Sequence, residues 1–219
     1  MPSRDAHRSS APNIALEAEE QSRPRGYTHI KRQIDIVVAL ACIIIASPLF
    51  ALIAILVRLD SPGPILFHQS RVGLGGRIFT IVKFRTLTVI EDGPNIVQVG
   101  EDDPRMTNLG RMLRRCCLDE LPQLFNVLWG DMSLVGPRPH ALAHHIYYGT
   151  RIASYAARHA VKPGLTGWAQ VHGACGPTPL LSDMRARVEL DLWYIAHATI
   201  ALDLLILAKT PLQILRGRH

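Results

Sequence analysis

The longest apolar stretch of the chain is a run of uncharged, almost wholly apolar residues at positions 36–57. A helix of this length is sufficient to cross a bilayer core of about 30 Å. Ser47-Pro48 interrupts the run near its middle, and proline removes a backbone donor and clashes with the preceding helical turn. Lipid offers no replacement partner, so the pattern predicts two half-helices meeting at Ser47-Pro48. We expect the Ser47 hydroxyl to help satisfy a freed carbonyl.

Two paths through a membrane are compatible with this run. Lys31 and Arg32 precede it and Arg58 follows it, so basic residues flank both ends and both ends are predicted to be cytoplasmic. This favours a re-entrant helix over residues 28–60, kinked at Ser47-Pro48. An ordinary spanning helix with a tolerated kink is the alternative. A signal peptide is not expected, because the run is too long and lies well inside the chain.

The remaining pattern divides the chain into a tail and one domain. Residues 1–27 contain Ser, Pro, Arg and Glu with little apolar periodicity, which predicts a disordered cytoplasmic tail. The segment 60–64, Asp-Ser-Pro-Gly-Pro, is rich in residues that end helices. A single domain is therefore predicted over 61–219, and its length suffices for a core.

The first part of this domain predicts a hairpin. Positions 65–68 and 78–85 have the composition of strands, and the glycine-rich stretch 71–77 between them suits a turn with positive φ angles. Side chains alternate along a strand, so Lys83 and Arg85 share one face. These two cations are either solvated or available to a phosphate.

A polar stretch at 91–104 predicts an exposed, mobile loop. From 107 to 116, apolar residues recur every three or four positions and predict a helix whose other face carries three arginines. A second helix is predicted to start in LDELPQLFNVL at 118–128, with Asp119 near its N-cap. The arginines of the first of these helices are Arg111, Arg114 and Arg115.

Asp119 and Glu120 are the best candidates for chemistry. The simplest interpretation is helix capping, with Glu120 complementing the helix dipole. Nearby cations would also favour ionised carboxylates, and an ionised aspartate is a competent nucleophile towards phosphorus. Glu120 could then hold Mg²⁺ through oxygen, with substrate phosphates completing the coordination.

Arg138 stands between two prolines that restrict its backbone, which suits a guanidinium aimed at a phosphate or carboxylate; an exposed arginine in a turn would have the same sequence. His140, His144 and His145 follow closely and invite a zinc interpretation. No third or acidic ligand lies nearby in sequence, so we favour surface or hydrogen-bonding histidines and predict no zinc site.

Charge narrows the classes of partner. The formal net charge is +6 and the pI is about 9.5, which suits a nucleic acid, an anionic membrane surface or a phosphorylated substrate. The membrane segment favours lipid and phosphate, and we predict no nucleic-acid partner. The four cysteines lack metal-type spacing and are predicted to be free thiols in a reducing compartment.

Four motifs follow one another along the chain: KFRT at 83–86, LDELPQLFNVL at 118–128, GDMSLVGPRPHA at 130–141 and KPGLTGWAQV at 162–171. Together they resemble the bacterial sugar transferase family, the monotopic phosphoglycosyl transferases. The resemblance runs from about position 31 to the C-terminus and is greatest to the short form of undecaprenyl-phosphate glucose-1-phosphate or galactose-1-phosphate transferases.

The resemblance implies a mixed α/β, mostly helical catalytic domain on a re-entrant membrane helix, with interfacial helices, at the cytoplasmic face of the bacterial inner membrane. Asp119 would attack the β-phosphate of a UDP-hexose, release UMP and pass the sugar-phosphate to undecaprenyl phosphate. Glu120 would bind Mg²⁺. Phosphate-binding roles fall to Lys83, Arg85, Arg115, Arg138 and Asp191. An N-acetylhexosamine substrate and a silent membrane scaffold are the alternatives, and a homodimer is left open.

The segment after the WAQV motif departs from the family pattern. Family members usually carry an Asn-Gly and then an Arg there, whereas this chain has His-Gly-Ala-Cys-Gly at 172–176. The missing arginine is expected to help bind the nucleotide sugar. His172, Arg185 and Arg187 are candidates to replace it. At the C-terminus, Trp193 and Tyr194 precede an apolar stretch at 200–207 and a basic end, which predicts an interfacial helix on an anionic leaflet.

Overall fold

The computed structural model describes residues 25–88, 98–100 and 103–215, and the predicted N-terminal tail lies almost wholly outside these ranges. The chain is mixed α/β and mostly helical, as predicted. The first elements are α1 (Arg25–Asp60), β1 (Leu66–Val72), β2 (Ile78–Phe84), α2 (Asn108–Arg115), α3 (Gln123–Trp129) and β3 (Ser133–Val135). They are followed by α4 (Leu142–Gly149), β4 (Gly164–Thr166), α5 (Trp168–Val171), α6 (Leu181–His197) and α7 (Ile200–Leu215).

Helix α1 continues through Ser47-Pro48, so the two predicted half-helices are joined without a loop between them, and the kink at this point stays a prediction. The proline leaves the Ile44 carbonyl without its usual backbone donor four residues on. The Ser47 hydroxyl donates to that carbonyl at 2.8 Å, as the sequence predicted, and so satisfies it. Within the described residues, α1 is the one helix that is both long enough and apolar enough to cross a membrane.

One face of α1 is part of the protein core. Asp35 accepts a hydrogen bond from the Leu134 amide at 3.0 Å, and Ala39 is fully buried. Arg32 donates to the Val127 and Leu128 carbonyls at 2.6 and 2.8 Å, where it caps the end of α3. The opposite face is exposed and apolar. It carries Val37, Leu40, Ile44, Ile45, Leu49, Leu52, Ile55, Leu56 and Leu59.

The described residues form two pairs of strands, one antiparallel and one parallel. Strands β1 and β2 form the predicted antiparallel hairpin, with Leu66 opposite Phe84 and Val72 opposite Ile78. Gly75 and Gly76 supply the positive φ angles of its turn. Strands β3 and β4 pair in parallel and bring the GDMSLVGPRPHA and KPGLTGWAQV motifs together.

Asn126 joins α3 to the edge of β2. Its side-chain Oδ1 accepts from the Val82 amide at 3.0 Å, and its Nδ2 donates to the Thr80 carbonyl at 2.7 Å. The side chain is fully buried and takes the place of a neighbouring strand. Because α3 follows Asp119 and Glu120 directly, this contact fixes the position of both carboxylates against the hairpin.

Asn126→Ala is expected to reduce the free energy of unfolding by about 2–3 kcal/mol, because it leaves the buried Val82 amide without an acceptor. Thermal unfolding in detergent measures the change. Asn108→Ala is the matched control, since Asn108 is exposed and should cost no more than about 0.5 kcal/mol. Equal stability of the two variants would contradict the role assigned to Asn126.

Candidate active site

A pocket of about 500 Å³ contains most of the predicted site residues. Its walls come from the β1–β2 hairpin, α2, the turn before α3, the Arg138 segment, the stretch 175–177 and α6. Positively charged side chains outnumber the two carboxylates of the lining, Asp119 and Glu120. The cations are Arg71, Lys83, Arg85, Arg111, Arg114, Arg115, Arg138 and Arg187.

The two carboxylates lie in a 3₁₀ turn, Leu118–Glu120, and not at the N-cap of the following helix. Cys117 has φ 55°, a left-handed conformation that directs the chain from α2 into this turn. Pro122 then occupies the N-cap position of α3, where its missing N–H costs nothing. The helix therefore starts later than predicted, and Asp119 does not serve as its cap.

Glu120 is held by two cations. Lys83 Nζ lies 2.6 Å from Glu120 Oε1, while Arg138 donates from Nη2 to Oε1 at 2.5 Å and from Nη1 to Oε2 at 3.0 Å. Burial raises the pKa of Glu120, but the charges of Arg138 and Lys83 outweigh burial and hold this pKa well below its usual range. Glu120 is thus ionised, and it orients the two cations predicted to bind phosphate.

Asp119 has a different environment from its neighbour. Its side chain is buried, yet within the described residues its carboxylate accepts no hydrogen bond. Burial raises the pKa of Asp119, opposed by the charge of Lys83 and assisted by that of Glu120. A basic carboxylate without hydrogen bonds keeps its lone pairs available, which suits a nucleophile.

Arg85 lines the pocket, but its guanidinium hydrogen-bonds to the turn after α1. Its guanidinium donates to the Pro62 carbonyl at 2.7 Å and to the Ser61 carbonyl at 2.6 Å, which clamps the turn after α1. Gly63 has φ 127°, a conformation that favours glycine, and a Cβ there would also lie 1.9 Å from Arg85 Nη1. The structure therefore places Arg85 as a structural clamp, and its predicted phosphate-binding role rests on the sequence motif alone.

Arg115 lines the pocket from α2 and is exposed. Its neighbours Arg111 and Arg114 lie on the same wall, so three arginines of one short helix face the cavity. Thr107 caps this helix, with its hydroxyl accepting from the Gly110 amide at 2.8 Å. The predicted basic helix is confirmed, and its arginines are available to an anionic ligand.

Asp191 lies behind the pocket wall and does not line it. It is 1% exposed, and its Oδ2 accepts from Arg158 Nε at 2.9 Å and from Arg158 Nη2 at 2.6 Å. Arg158 in turn donates to the Arg138 carbonyl at 2.9 Å. Asp191 thus acts through Arg158 to position Arg138, so direct contact with phosphate is not what the structure shows.

The three histidines after Arg138 make contacts within the protein. His140 Nδ1 lies 2.6 Å from the Tyr155 hydroxyl, and His145 Nδ1 lies 3.2 Å from His159 Nε2. His144 lines the pocket. No group of three or more potential metal ligands occurs in the described part of the chain. The His140 ring helps to hold the Arg138 segment, because it also contacts Arg158.

Part of the stretch predicted as a mobile loop is held in place, because the Gln98 side chain hydrogen-bonds to Thr178 and Tyr148. The Thr178 amide donates to Gln98 Oε1 at 2.8 Å, and Gln98 Nε2 donates to the Tyr148 hydroxyl at 3.3 Å. Residues 98–100 therefore form part of the pocket wall. Positions 91–97, 101 and 102 of the predicted loop lie outside the described residues.

Arg71 and Arg187 line the pocket, although the sequence pattern predicted no defined position in it for either residue. Arg71 was included in the hairpin turn, but it lies at the end of β1 and donates to the Pro139 carbonyl at 2.9 Å. Arg187 was only one of three candidates for a missing arginine. Its spacing of four residues from Asp191 on one helix was the available signal, because such residues share a face.

Two carboxylates of the pocket, Asp119 and Glu120, carry oxygen atoms of the kind that bind Mg²⁺. Mg²⁺ usually takes one or two protein carboxylates and completes its coordination with water and substrate phosphates. The Asp119 carboxylate accepts no hydrogen bond from the described residues, so both of its oxygens can bind a cation. Glu120 Oε2 accepts a hydrogen bond only from Arg138 among the described residues, which leaves a second lone pair on this oxygen. Glu120, with Asp119 beside it, could therefore hold the ion against a diphosphate.

Comparison with known proteins finds relatives over most of the chain. Residues 26–217 match the family model for bacterial sugar transferases. A UDP-glucose:undecaprenyl-phosphate glucose-1-phosphate transferase of Caulobacter vibrioides is 51% identical over 180 residues, covering 82% of this chain and 67% of the relative. An Escherichia coli protein of the same name is 47% identical over 181 residues, which cover 83% of this chain and 39% of that relative.

A relative with another substrate is also similar. The UDP-N-acetylgalactosamine-undecaprenyl-phosphate N-acetylgalactosaminephosphotransferase of Aeromonas hydrophila is 43% identical over 192 residues, covering 87% of this chain and 45% of the relative. This chain therefore spans between about two fifths and two thirds of the length of these three relatives.

Proposed function

We propose, from the premise that this chain belongs to the bacterial sugar transferase family, that it transfers hexose-1-phosphate from a UDP-hexose to undecaprenyl phosphate. The observation that carries the proposal is a buried Asp119 without a hydrogen-bond partner among the described residues, in a pocket lined by cations. Phosphoryl transfer depends mainly on positioning and charge stabilisation, which this pocket supplies. The proposed role of the product is to begin exopolysaccharide assembly.

The proposed reaction has two displacements at one phosphorus atom. An Asp119 carboxylate oxygen forms a bond to the β-phosphorus, while the bond to the bridging oxygen breaks and UMP leaves with that oxygen. A phosphate oxygen of the lipid then attacks the same phosphorus. The aspartyl bond breaks, Asp119 is regenerated as a carboxylate, and the product is a polyprenyl diphosphate sugar.

Lys83 and Arg138 are positioned by Glu120 to neutralise the oxygens of the transferred phosphate. Arg115, with its neighbours on α2, extends the same positive field towards a second phosphate. A Mg²⁺ bound at Glu120 would add Lewis-acid stabilisation of charge on the diphosphate. Asp191 contributes through Arg158, which holds the backbone of Arg138 in place.

UMP release measures this activity. The purified chain with undecaprenyl phosphate is expected to release UMP from UDP-glucose or UDP-galactose. The Aeromonas relative makes UDP-N-acetylgalactosamine the second candidate donor, so release with that sugar alone would favour an N-acetylhexosamine transferase. Release with none of the UDP-sugars would favour the membrane scaffold.

We also propose that α1 enters and leaves the same side of the inner membrane, as a re-entrant helix, with the domain facing the cytoplasm. The apolar run at 36–57 is about 33 Å long as a helix. Near its start, Ala39 packs into the main core with Val127 and Leu134, and near its end Ile53 and Val57 pack with Leu113. Along a straight helix these contacts are about 21–27 Å apart, which is most of the thickness of a bilayer core, so a spanning path would carry one of them away from a domain on one side.

Single cysteines at His29 and Asp60, in a chain without the four native cysteines, test this path because both positions are exposed and flank the apolar run. An impermeant maleimide is expected to label both in inside-out vesicles and neither in spheroplasts. Labelling of one position from the periplasmic side would establish a spanning helix.

A further inference from the structure

Arg187 is a buried cation that the mechanism above does not use. It lies on α6, is 6% exposed and lines the pocket. Its Nη2 donates to the Gly176 carbonyl, whereas its buried Nε–H has no hydrogen-bond partner. Among the described residues, no carboxylate forms an ion pair with it. A buried guanidinium with unused donors is costly unless an anion satisfies it.

The charges around Arg187 do not balance it. Burial, together with the nearby charges of Arg138 and Arg158, lowers the pKa of Arg187 to about 10, and the opposing charge of Asp191 does not offset them. Asp191 already accepts two hydrogen bonds from Arg158. The field at Arg187 is therefore positive, and an arriving anion would meet both Arg187 and Arg138.

The pocket has two cationic ends. The arginines of α2 are at the end beside α1, because Leu113 of α2 packs against Ile53 and Val57. Arg187 is on the other wall. Its helix packs through Met184 and Val188 on a cluster with Tyr148, Ile152 and Tyr155, and this cluster includes no described residue of α1. With α1 in the membrane as proposed, the α2 end would be the nearer to a lipid substrate, which leaves the Arg187 end for the soluble donor.

We propose that Arg187 binds the α-phosphate of the UDP-sugar, the phosphate that departs with UMP. This inference rests on the proposed function, which puts the β-phosphate beside Asp119, Lys83 and Arg138. The neighbouring α-phosphate then meets the unused guanidinium donors at the Gly176 wall. A bidentate guanidinium suits this contact, because it matches phosphate geometry and stays charged when buried.

Arg187 is also the one of the three sequence candidates that reaches this place. His172 is exposed, and its Nδ1 lies 2.8 Å from the Trp168 carbonyl. Arg185 is exposed on the same helix and does not line the pocket. Arg187 instead holds the carbonyl of Gly176, within the segment where the family pattern predicted an arginine.

Steady-state kinetics test the assignment. Arg187→Gln should raise KM for UDP-glucose by about 10- to 100-fold, the usual effect of losing charge-assisted hydrogen bonds. KM for undecaprenyl phosphate should change by less than about twofold. Arg187→Lys should lie between, and Arg185→Gln is the control that retains wild-type values. A rise confined to the KM for undecaprenyl phosphate would overturn the proposal.

Thermal unfolding with UMP and with uridine separates this inference from the proposed function, since it needs no turnover. UMP should raise the melting temperature of the wild type and of Arg185→Gln, but not of Arg187→Gln, whereas any effect of uridine should be the same in all three. An equal UMP effect in Arg187→Gln would overturn the assignment even if UMP release from UDP-sugars is never observed.

Discussion

Asp119→Asn is expected to abolish covalent labelling of the protein by a radiolabelled UDP-sugar and to reduce UMP release by roughly 10,000-fold. Asparagine has the same shape as aspartate but lacks the anionic oxygen that bonds to phosphorus. The substitution also removes a buried charge without a hydrogen-bond partner among the described residues, so the fold should survive it. Denaturing gels after incubation with the sugar nucleotide would show the adduct.

The matched control for this experiment is Asp131→Asn, which changes an aspartate outside the pocket. It should label as the wild type does. Undiminished labelling of Asp119→Asn, or an adduct mapped by mass spectrometry to another side chain, would reject Asp119 as the nucleophile. A reaction that releases UMP only when both substrates are bound would reject the two-step scheme.

Asp191→Asn is expected to destabilise the protein by about 3–5 kcal/mol, although Asp191 does not line the pocket. The side chains of Asp191 and Arg158 are 2% and 1% exposed, so the variant leaves a buried guanidinium without its counter-ion. Activity should also fall, because Arg158 holds the Arg138 carbonyl. Thermal unfolding in detergent and UMP release measure the two effects.

Two further variants show whether the ion pair is responsible. Asp183→Asn alters a carboxylate on the same helix that accepts from the Leu180 amide at 3.0 Å, and it should cost only about 1 kcal/mol. The double variant Arg158→Met with Asp191→Leu should recover much of the lost stability, since no charge remains buried. If Asp191→Asn were as stable as the wild type, the stabilising role assigned to the buried Asp191–Arg158 ion pair would be wrong.

Elements with strong local patterns were predictable from the sequence. The hairpin and α2 follow from alternation and helical periodicity, and these patterns depend on neighbours in the chain. Strand β1 extends to Val72, beyond its predicted end, because pairing with β2 continues to Ile78. Strands β3 and β4 have three residues each, too few for a pattern, and their pairing depends on close approach at Gly136 and Gly164.

The site was predictable in its residue types but less so in its contacts. Asp119, Glu120, Lys83 and Arg138 come together as their motifs suggested. Arg85 carries an equally suggestive charge, yet its guanidinium points to the turn after α1. A sequence motif gives the charge of a side chain, whereas its partners depend on how distant segments pack.

The packing of α1 also bears on protein engineering. Arg32, Asp35 and Ala39 satisfy or cover parts of α3 and β3, so deletion of this helix would open the interior and expose backbone groups that now have partners. A water-soluble version is better sought by replacing the outward side chains Ile44, Ile45 and Leu52 with polar residues. Such a variant would keep the helix as scaffolding and would allow crystallisation without detergent.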